Sequence, residues 1–104
     1  MVNSRFDIER HAVGPGWQAL IEQLHADLLA IAPDYQIAQI KEKFGGLRYY
    51  VDCTPEQTWA ITEQMDGLIN AAEAKSVTIC EVCGKPGTLQ VERSWMKTLC
   101  EEHR

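Results

Sequence analysis

The hydrophobic positions of the chain first follow a helical period. From residue 17 to residue 31, large apolar side chains recur at steps of three and four, a spacing that predicts an amphipathic α-helix. Gly14-Pro15-Gly16 marks a break before this helix, and Pro33 ends it because the residue before a proline avoids the α conformation. The members of the predicted apolar stripe are Trp17, Leu20, Ile21, Leu24, Leu28 and Ile31.

Residues 1–14 mix charged and apolar side chains without a period, so we expect an irregular leader there. His11 lies in this leader, and His25 lies beside the apolar stripe of the helix. Both histidines are expected to be solvent-exposed surface residues, and His11 is not expected to be a metal ligand.

Residues 36–53 predict a β-hairpin, in which two extended stretches flank the dipeptide Gly45-Gly46. Such a pair suits a two-residue turn, and it would place Phe44 opposite Leu47 and Lys43 opposite Arg48. One face then carries apolar and aromatic side chains, with one glutamate, and should pack on the helices. Its members are Ala38, Ile40, Glu42, Phe44, Leu47, Tyr49, Val51 and Cys53. On this face Cys53 is expected to be a small buried residue and not a nucleophile.

The opposite face of the predicted hairpin is basic and aromatic. Lys41, Lys43, Arg48 and Tyr50 lie on it, in a chain that is acidic as a whole. Like charges that face each other across a ladder are destabilising. Either the positive charges protect a solvated strand edge against aggregation, or the patch recognises an anionic partner, namely a phosphate backbone or an acidic protein surface.

A second helix is predicted from residue 54 onward. Thr54 suits an N-cap, Pro55 suits the first helical position, and Gln57 completes a capping box. The helical spacing continues to about Lys75-Ser76. The residues that carry it are Thr58, Ile61, Met65, Leu68, Ile69 and Ala72.

No flexible linker separates this helix from the carboxy-terminal part, because residues 77–79 lead as an extended segment directly into a cysteine motif. We therefore predict one compact domain with two parts. Residues 1–76 form the helical and hairpin core, and residues 77–104 form a metal-binding unit packed on that core.

Two ligand pairs in the last quarter of the chain have the spacing of a metal site. Cys80 and Cys83 form a Cys-x-x-Cys pair followed by Gly84, and Cys100 and His103 form a Cys-x-x-His pair. Thiolate sulfur and imidazole nitrogen are ligands that Zn²⁺ prefers in four-coordinate sites. The sequence thus predicts one zinc ion, and a shell already filled by four side chains makes it structural and not catalytic.

Segments 88–92 and 95–99 flank Arg93-Ser94 and predict a short hairpin, which would return the second ligand pair to the first. The expected fold class is therefore α+β. It consists of a helix–β-hairpin–helix core with a carboxy-terminal zinc hairpin that resembles a zinc ribbon or a shortened treble clef.

Two other uses of the cysteines remain open. Disulfides are the first, but the four cysteines include one outside the motif, and the amino-terminal sequence has no secretory pattern. A redox Cys-x-x-Cys is the second, although such a motif normally opens a helix and needs no Cys-x-x-His partner. We expect a reducing, cytoplasmic compartment.

Composition narrows the class of function. The chain has 104 residues, a formal charge of −5 and 45% hydrophobic residues, without a transmembrane run. Its acidity counts against general nucleic-acid binding, and no nucleophile motif, phosphate loop or catalytic carboxylate pair indicates an enzyme. We expect a non-catalytic protein-binding module. Trp95 and Met96 are either apolar anchors for a partner or packed on the core.

A nucleic-acid-binding zinc ribbon is the alternative function. The cations near the metal motif could form a stripe with those of the hairpin. They are Lys75, Lys85, Arg93, Lys97 and Arg104.

Two motifs together resemble a group of small bacteriophage and prophage proteins without an assigned activity. They are the stretch QIKEKFGGLRYY at residues 39–50 and the later Cys-x-x-Cys and Cys-x-x-His pairs, and the resemblance extends over residues 14–104. It implies no catalytic mechanism. A phage setting implies a protein that inhibits or redirects a host protein, such as a defence protein.

Overall fold

The structure is a computed structural model that describes residues 4–52, 54 and 57–104. Cys53, Pro55 and Glu56 lie outside the described residues. The prediction that Cys53 is buried and the prediction of a helical conformation at Pro55 therefore stay predictions. Three α-helices are described, α1 (Ser4–Glu9), α2 (Gln18–Ile31) and α3 (Trp59–Ser76). Short 3-10 turns at Arg10–Ala12 and Pro15–Trp17 lie between α1 and α2.

Two small antiparallel sheets complete the described fold. Strands β1 (Gln36–Lys43) and β2 (Gly46–Asp52) form one, and β3 (Thr88–Gln90) and β4 (Lys97–Leu99) form the other. The predicted mixture of helices and strands is confirmed, and the predicted order helix, hairpin, helix, hairpin is found from α2 onward, with α1 preceding it. In the described part of the chain, no helix is long and apolar enough to cross a membrane.

Helix α2 is the centre of the core, as its period predicts. Ile21 and Leu28 of α2 are fully buried and Leu24 is nearly so, and Trp17 in the 3-10 turn just before α2 is also fully buried. The same apolar cluster includes Ile40, Leu47 and Tyr49 from the β1–β2 hairpin and Met65 and Ile69 from α3. Burial of these large side chains supplies the main driving force for folding.

The prediction of an irregular leader over residues 1–14 is wrong, because helix α1 begins at Ser4 and its Phe6 is buried. Arg5 Nη2 donates a hydrogen bond to the Ala38 carbonyl (2.9 Å), and a carboxylate oxygen of Glu9 accepts one from the Ile40 N–H (3.3 Å). Both contacts satisfy backbone groups along β1, which would otherwise be an open strand edge. A single apolar anchor in six residues leaves no period, so this helix depends on tertiary contacts.

The turn of the first hairpin lies one residue earlier than predicted. Phe44 (φ 54°) and Gly45 (φ 82°) form it, which matches the two positive φ angles of a type I′ turn. Lys41 therefore pairs with Arg48, and Lys43 pairs with Gly46. Phe44 is 64% exposed at the tip instead of pairing with Leu47.

Contact with the second hairpin explains the position of this turn. The Gly45 carbonyl accepts a hydrogen bond from Thr98 Oγ1 (2.7 Å), and a side chain at Gly45 would collide with Leu89. A buried residue at positive φ must be a glycine here, so this contact selects Gly45 as the second turn residue.

A β-bulge between Ile37 and Gln39 was not predicted. Ile37 and Ile40 are three residues apart, so regular alternation would place them on opposite faces. The extra residue in β1 changes the phase, and both isoleucines are buried.

Helix α3 begins later than predicted, at Trp59. Thr58 is its N-cap, and the Thr58 hydroxyl accepts a hydrogen bond from the Ile61 N–H (3.2 Å). Thr54 and Gln57 do interact, since the Gln57 side chain accepts a hydrogen bond from the Thr54 N–H (3.1 Å), but both residues precede the helix. Two threonines four residues apart offered two possible caps, and the second is used.

Helix α3 also covers the free edge of β2. Ser76 Oγ accepts a hydrogen bond from the Leu47 N–H (2.9 Å), and a carboxylate oxygen of Glu73 accepts one from the Tyr49 N–H (3.0 Å). With α1 along β1, polar side chains therefore satisfy both edges of the two-stranded sheet. The cations on the outer face of the hairpin are therefore not needed to protect the edges of this sheet.

The expectation that His25 is solvated is wrong. Its ring stacks on Phe6, with ring centroids 4.1 Å apart, and hydrogen-bonds the Tyr35 hydroxyl. Tyr35 in turn hydrogen-bonds the Tyr49 hydroxyl (2.8 Å) inside the core. Burial raises the pKa of Tyr35 to about 12 and raises the pKa of Tyr49 further. His25 therefore links α1, α2 and the hairpin.

This environment predicts a pH effect on stability. Burial lowers the pKa of His25 below its ordinary value of 6.5, and Arg10 lowers it further although Asp7 raises it. The unfolded chain then binds a proton first, so the contribution of His25 is complete above pH 6.5 and is lost as the pH falls toward the folded pKa. We expect the difference in melting temperature between wild type and His25→Gln to shrink from about pH 7 to about pH 5. A constant or growing difference would contradict this.

Candidate metal centre

The first cysteine pair lies in a tight turn shortly after α3. Val77 and Thr78 form a turn instead of the expected extended segment, and Ile79 forms an isolated bridge with Pro86. The Gly84 N–H then donates to the Cys80 carbonyl (2.9 Å). Gly84 has φ 83°, a conformation that strains any residue with a Cβ.

Cys80 is fully buried, and its surroundings favour the thiolate. Burial raises the pKa of the Cys80 thiol, but the backbone N–H groups of Cys100, Cys83 and Val82, together with the His103 ring, outweigh burial and lower the pKa to about 6. The thiolate is the form that binds metal ions.

The second pair is brought into place by the β3–β4 hairpin. Thr88 pairs with Leu99, and the Glu81 N–H donates to the Thr98 carbonyl (3.0 Å). These strands are shorter than predicted, but they return Cys100 to the first pair as expected. A turn closed by the His103 N–H on the Cys100 carbonyl (3.2 Å) then directs the imidazole at the sulfurs.

The four predicted ligands lie together. The Cys83 and Cys100 sulfurs are 3.6 Å apart, and His103 Nδ1 lies 3.3 Å from the Cys100 sulfur and 3.6 Å from the Cys80 sulfur. One donor atom from each of the four residues lies within 4.8 Å of every other. The prediction of a four-residue cluster is confirmed, and this cluster could hold a metal ion.

A disulfide bond among the three cysteines of this cluster does not fit the arrangement. Cys80, Cys83 and Cys100 are free thiols, and the 3.6 Å between the Cys83 and Cys100 sulfurs is far longer than the sulfur–sulfur bond of about 2.05 Å. Three sulfurs and an imidazole nitrogen that converge on one point are typical of metal ligation.

The turn of residues 79–84 carries the first cysteine pair, and we refer to it as the metal-binding turn. The Gly14-Pro15-Gly16 segment and Trp17 hold this turn against the core. The Gly16 N–H donates to the Glu81 carbonyl (2.7 Å), and the Trp17 indole donates to the Ile79 carbonyl (2.9 Å). The Gly14 N–H donates to the Glu81 carboxylate (3.0 Å). Residues that the sequence marks only as a break before α2 therefore dock the metal-binding turn.

Lys97 on β4 joins the two hairpins. Its ammonium lies 2.8 Å from a carboxylate oxygen of Glu42 on β1 and 3.5 Å from one of Glu81. Desolvation lowers the pKa of Lys97, but the two carboxylates outweigh it and raise the pKa above its usual value. A half-buried cation between two carboxylates is favourable only when all three groups are held in place.

The predicted partner residues share one face of the first hairpin. Lys41 and Arg48 are cross-strand partners, and Lys43 and Tyr50 lie on the same outer face, at its two ends. Lys43 and Tyr50 are exposed, while Lys41 and Arg48 are half-buried. The predicted Lys43–Arg48 pair is wrong because the turn is shifted, but the shared face is as expected.

Trp95 and Met96 lie in the β3–β4 loop. Trp95 is 69% exposed, so packing on the core does not account for it, whereas Met96 is half-buried. Both residues border the tip of the β1–β2 hairpin.

The sequence interpretation missed the docking roles of Gly16, Glu81 and Lys97. Glu81 is one of the two residues between the cysteines of the Cys-x-x-Cys pair and is nevertheless buried. The two glycines around Pro15 were the available signal, because repeated glycines also mark places where backbones approach closely. Their partner could not be read from the sequence.

Comparisons with known proteins found no match to this chain. The chain matches no model of a protein family, no curated protein and no solved structure. Function therefore has to be inferred from the chemistry of the described residues.

Proposed function

We propose that this protein is a small, non-catalytic zinc protein that acts through contacts with another protein. The observation that carries the proposal is the convergence of Cys80, Cys83, Cys100 and His103 within 4.8 Å. A bacteriophage origin and a host protein as the target are part of the proposal, on the resemblance of the hairpin and cysteine motifs.

Zinc is the metal that fits the donors best. Zn–S bonds of about 2.3 Å and Zn–N bonds of about 2.0 Å in a tetrahedron give donor separations of about 3.5–3.8 Å. His103 Nδ1 lies 3.3 Å from the Cys100 sulfur and 3.6 Å from the Cys80 sulfur, and the Cys83 and Cys100 sulfurs are 3.6 Å apart. Thiolate-rich donor sets also favour Zn²⁺ over Mg²⁺, Ca²⁺ or Mn²⁺, which prefer oxygen.

The position of the site supports a structural role. Four protein donors would fill the tetrahedron, whereas a catalytic zinc keeps one position for water or substrate. The ligands join the turn after α3 to the end of β4, and the turn docks on residues 14–17. A bound ion would therefore fix the second hairpin relative to the core, in the manner of a zinc ribbon.

The charges near the site favour a protein partner over a nucleic acid. Three of the five cations that could have formed a basic stripe are paired with carboxylates: Lys85 with Glu102, Arg104 with Glu101, and Lys97 with Glu42. Paired cations contribute less to phosphate binding, and the chain carries a formal charge of −5. The nucleic-acid alternative is thus less well supported.

The test is capture of partners from bacterial host lysate on the immobilised, zinc-loaded protein. We expect a specific partner to be captured by wild type and lost with the double variant Lys43→Glu/Arg48→Glu, because both changes reverse charge on the outer face of the hairpin. Lys75→Glu, an exposed change on α3, is the matched control and should retain the partner. No specific partner, or equal capture by all three proteins, would contradict a protein-binding role for this face.

A further inference from the structure

A groove of about 450 Å³ lies where the two hairpins meet. Lys43 and Phe44 at the tip of the β1–β2 hairpin line one side, and Trp95 and Met96 in the β3–β4 loop line the other. Two residues of the cationic face, Lys41 and Lys43, therefore share one surface with the exposed Trp95, which is far from them in sequence. The metal-binding hairpin supplies half of it.

The charges of the groove are unbalanced toward the positive. Glu42 also lines it, but Lys97 neutralises this carboxylate at 2.8 Å. Desolvation raises the pKa of Glu42, yet hydrogen bonds from Lys97, from the Gly45 N–H and from the Trp95 side chain, together with the charge of Lys97, outweigh it and lower the pKa. Lys41 and Lys43 form no ion pair with the described residues, although the chain as a whole is acidic.

Phe44 is an unfavourable residue for its position. A bulky aromatic residue at φ 54° is strained, and asparagine or glycine would adopt this conformation at lower cost. Phe44 is also 64% exposed, so burial in the core does not compensate the strain. The Lys43 ammonium lies over the Phe44 ring, 5.5 Å from its centroid, so the strained aromatic and the cation form one surface. Strain at an exposed aromatic side chain, beside cations that have no carboxylate partner among the described residues and beside a second exposed aromatic, points to a binding role.

We propose that this groove binds an acidic segment of the partner protein through one large apolar side chain of that segment. The inference rests on the proposed protein-binding function and names the chemistry of the partner. Phe44, Trp95 and Met96 would contact the apolar side chain, since aromatic residues and methionine are enriched in interfaces. Lys41 and Lys43 would contact carboxylates that flank it, which favours association and selects against basic partners.

A nucleic acid is the less favoured occupant of the groove. Exposed aromatic rings and lysines do bind single strands, but such binding depends on many phosphate contacts along a basic track. This groove offers two lysines without a carboxylate partner among the described residues, in a chain of charge −5. A short acidic peptide brings fewer negative charges near the acidic body of the protein.

The experiment measures fluorescence anisotropy of a labelled peptide of about twelve residues, in which one tryptophan stands among glutamates and aspartates, with the zinc-loaded full chain. We expect saturable binding that weakens with salt and is lost when the peptide tryptophan is replaced by alanine. Lys41→Glu/Lys43→Glu and Phe44→Asn should each weaken it at least about tenfold. Lys75→Glu and Trp59→Ser, which change an exposed cation and an exposed aromatic on α3, should bind as wild type does.

Phe44→Asn provides a check against misfolding, because asparagine suits the turn. Its melting temperature should equal or exceed that of wild type while binding is lost. Binding unaffected by the groove variants, or no binding by folded wild type up to about 1 mM, would overturn the proposal. A single-stranded oligonucleotide that binds more tightly than the peptide would also overturn it.

Two further outcomes separate this inference from the proposed function. A lysate partner that is captured by wild type and also by Phe44→Asn would overturn the groove and leave the protein-binding function standing. The exposed face of α3 carries Trp59, Glu63 and Asp66, so α3 of a second copy could also occupy the groove. Self-association of wild type that is abolished in Trp59→Ser would identify this second copy as the occupant and would overturn the proposal.

Discussion

Cys80→Ser is expected to abolish stoichiometric zinc binding and to unfold at least the carboxy-terminal third of the chain. A structural zinc contributes about 10–16 kcal/mol of apparent binding free energy, which is comparable to the whole stability of a small domain, about 5–15 kcal/mol. Cys80 is the most buried of the ligands, and its sulfur faces His103 at 3.6 Å. Removal of zinc from wild type by a strong chelator should produce the same unfolding.

Metal analysis of the purified protein measures the zinc content, and thermal melts followed by circular dichroism measure the unfolding. Together they test this prediction. Cobalt substitution adds a spectroscopic test, since thiolate ligands give charge-transfer absorption and a tetrahedral site gives intense visible bands. His103→Ala should weaken zinc binding, whereas His11→Ala, an exposed change outside the cluster, should retain one equivalent. One zinc per chain in Cys80→Ser, or an unchanged melt after chelation, would show that the cluster is not a structural zinc site.

Gly16→Ala is expected to destabilise the protein by about 3 kcal/mol, at the upper end of the usual cost of overpacking. A methyl group at Gly16 would collide with the Cys80 carbonyl and would lie 2.5 Å from the Gly84 nitrogen. Both contacts are with backbone, so neither can be relieved by rotation of a side chain. The substitution should also weaken zinc binding, because it pushes the first cysteine pair away from the core.

Gly67→Ala is the matched control for this change. Gly67 lies within α3, and a methyl group there would meet nothing within 4 Å. Alanine is the better helix former by about 1 kcal/mol, so Gly67→Ala should raise the free energy of unfolding. Denaturant titration of the two variants measures both effects, and a Gly16→Ala variant as stable as wild type would contradict the tight docking of the metal-binding turn.

The metal ligands could be predicted because their information is local. Cys80 and Cys83 are separated by two residues, as are Cys100 and His103, and each pair needs only one turn of backbone to converge. Helix α2 was predictable for a similar reason, since its apolar stripe repeats over four turns. Strands β3 and β4 were predictable because the two ligand pairs can meet only if the segment between them folds back on itself.

Elements with weak local signals were predicted wrongly. Helix α1 has one buried anchor and exists through its contacts with β1. The position of the first turn depends on Thr98 and Leu89, which lie more than forty residues further along the chain. Either Thr54 or Thr58 could have capped α3, and the sequence does not distinguish them.

The sequence by itself determined the mixed helix and strand class, the helical stripe of α2 and the four donors of the candidate metal site. These features depend on periodicity or on spacing between near neighbours. Only the tertiary structure decided that Gly16 and Trp17 hold the metal-binding turn, that the hairpin turn falls at Phe44 and Gly45, and that Lys43 and Trp95 border one groove. Those features depend on contacts between distant segments, which the packing of the whole chain determines.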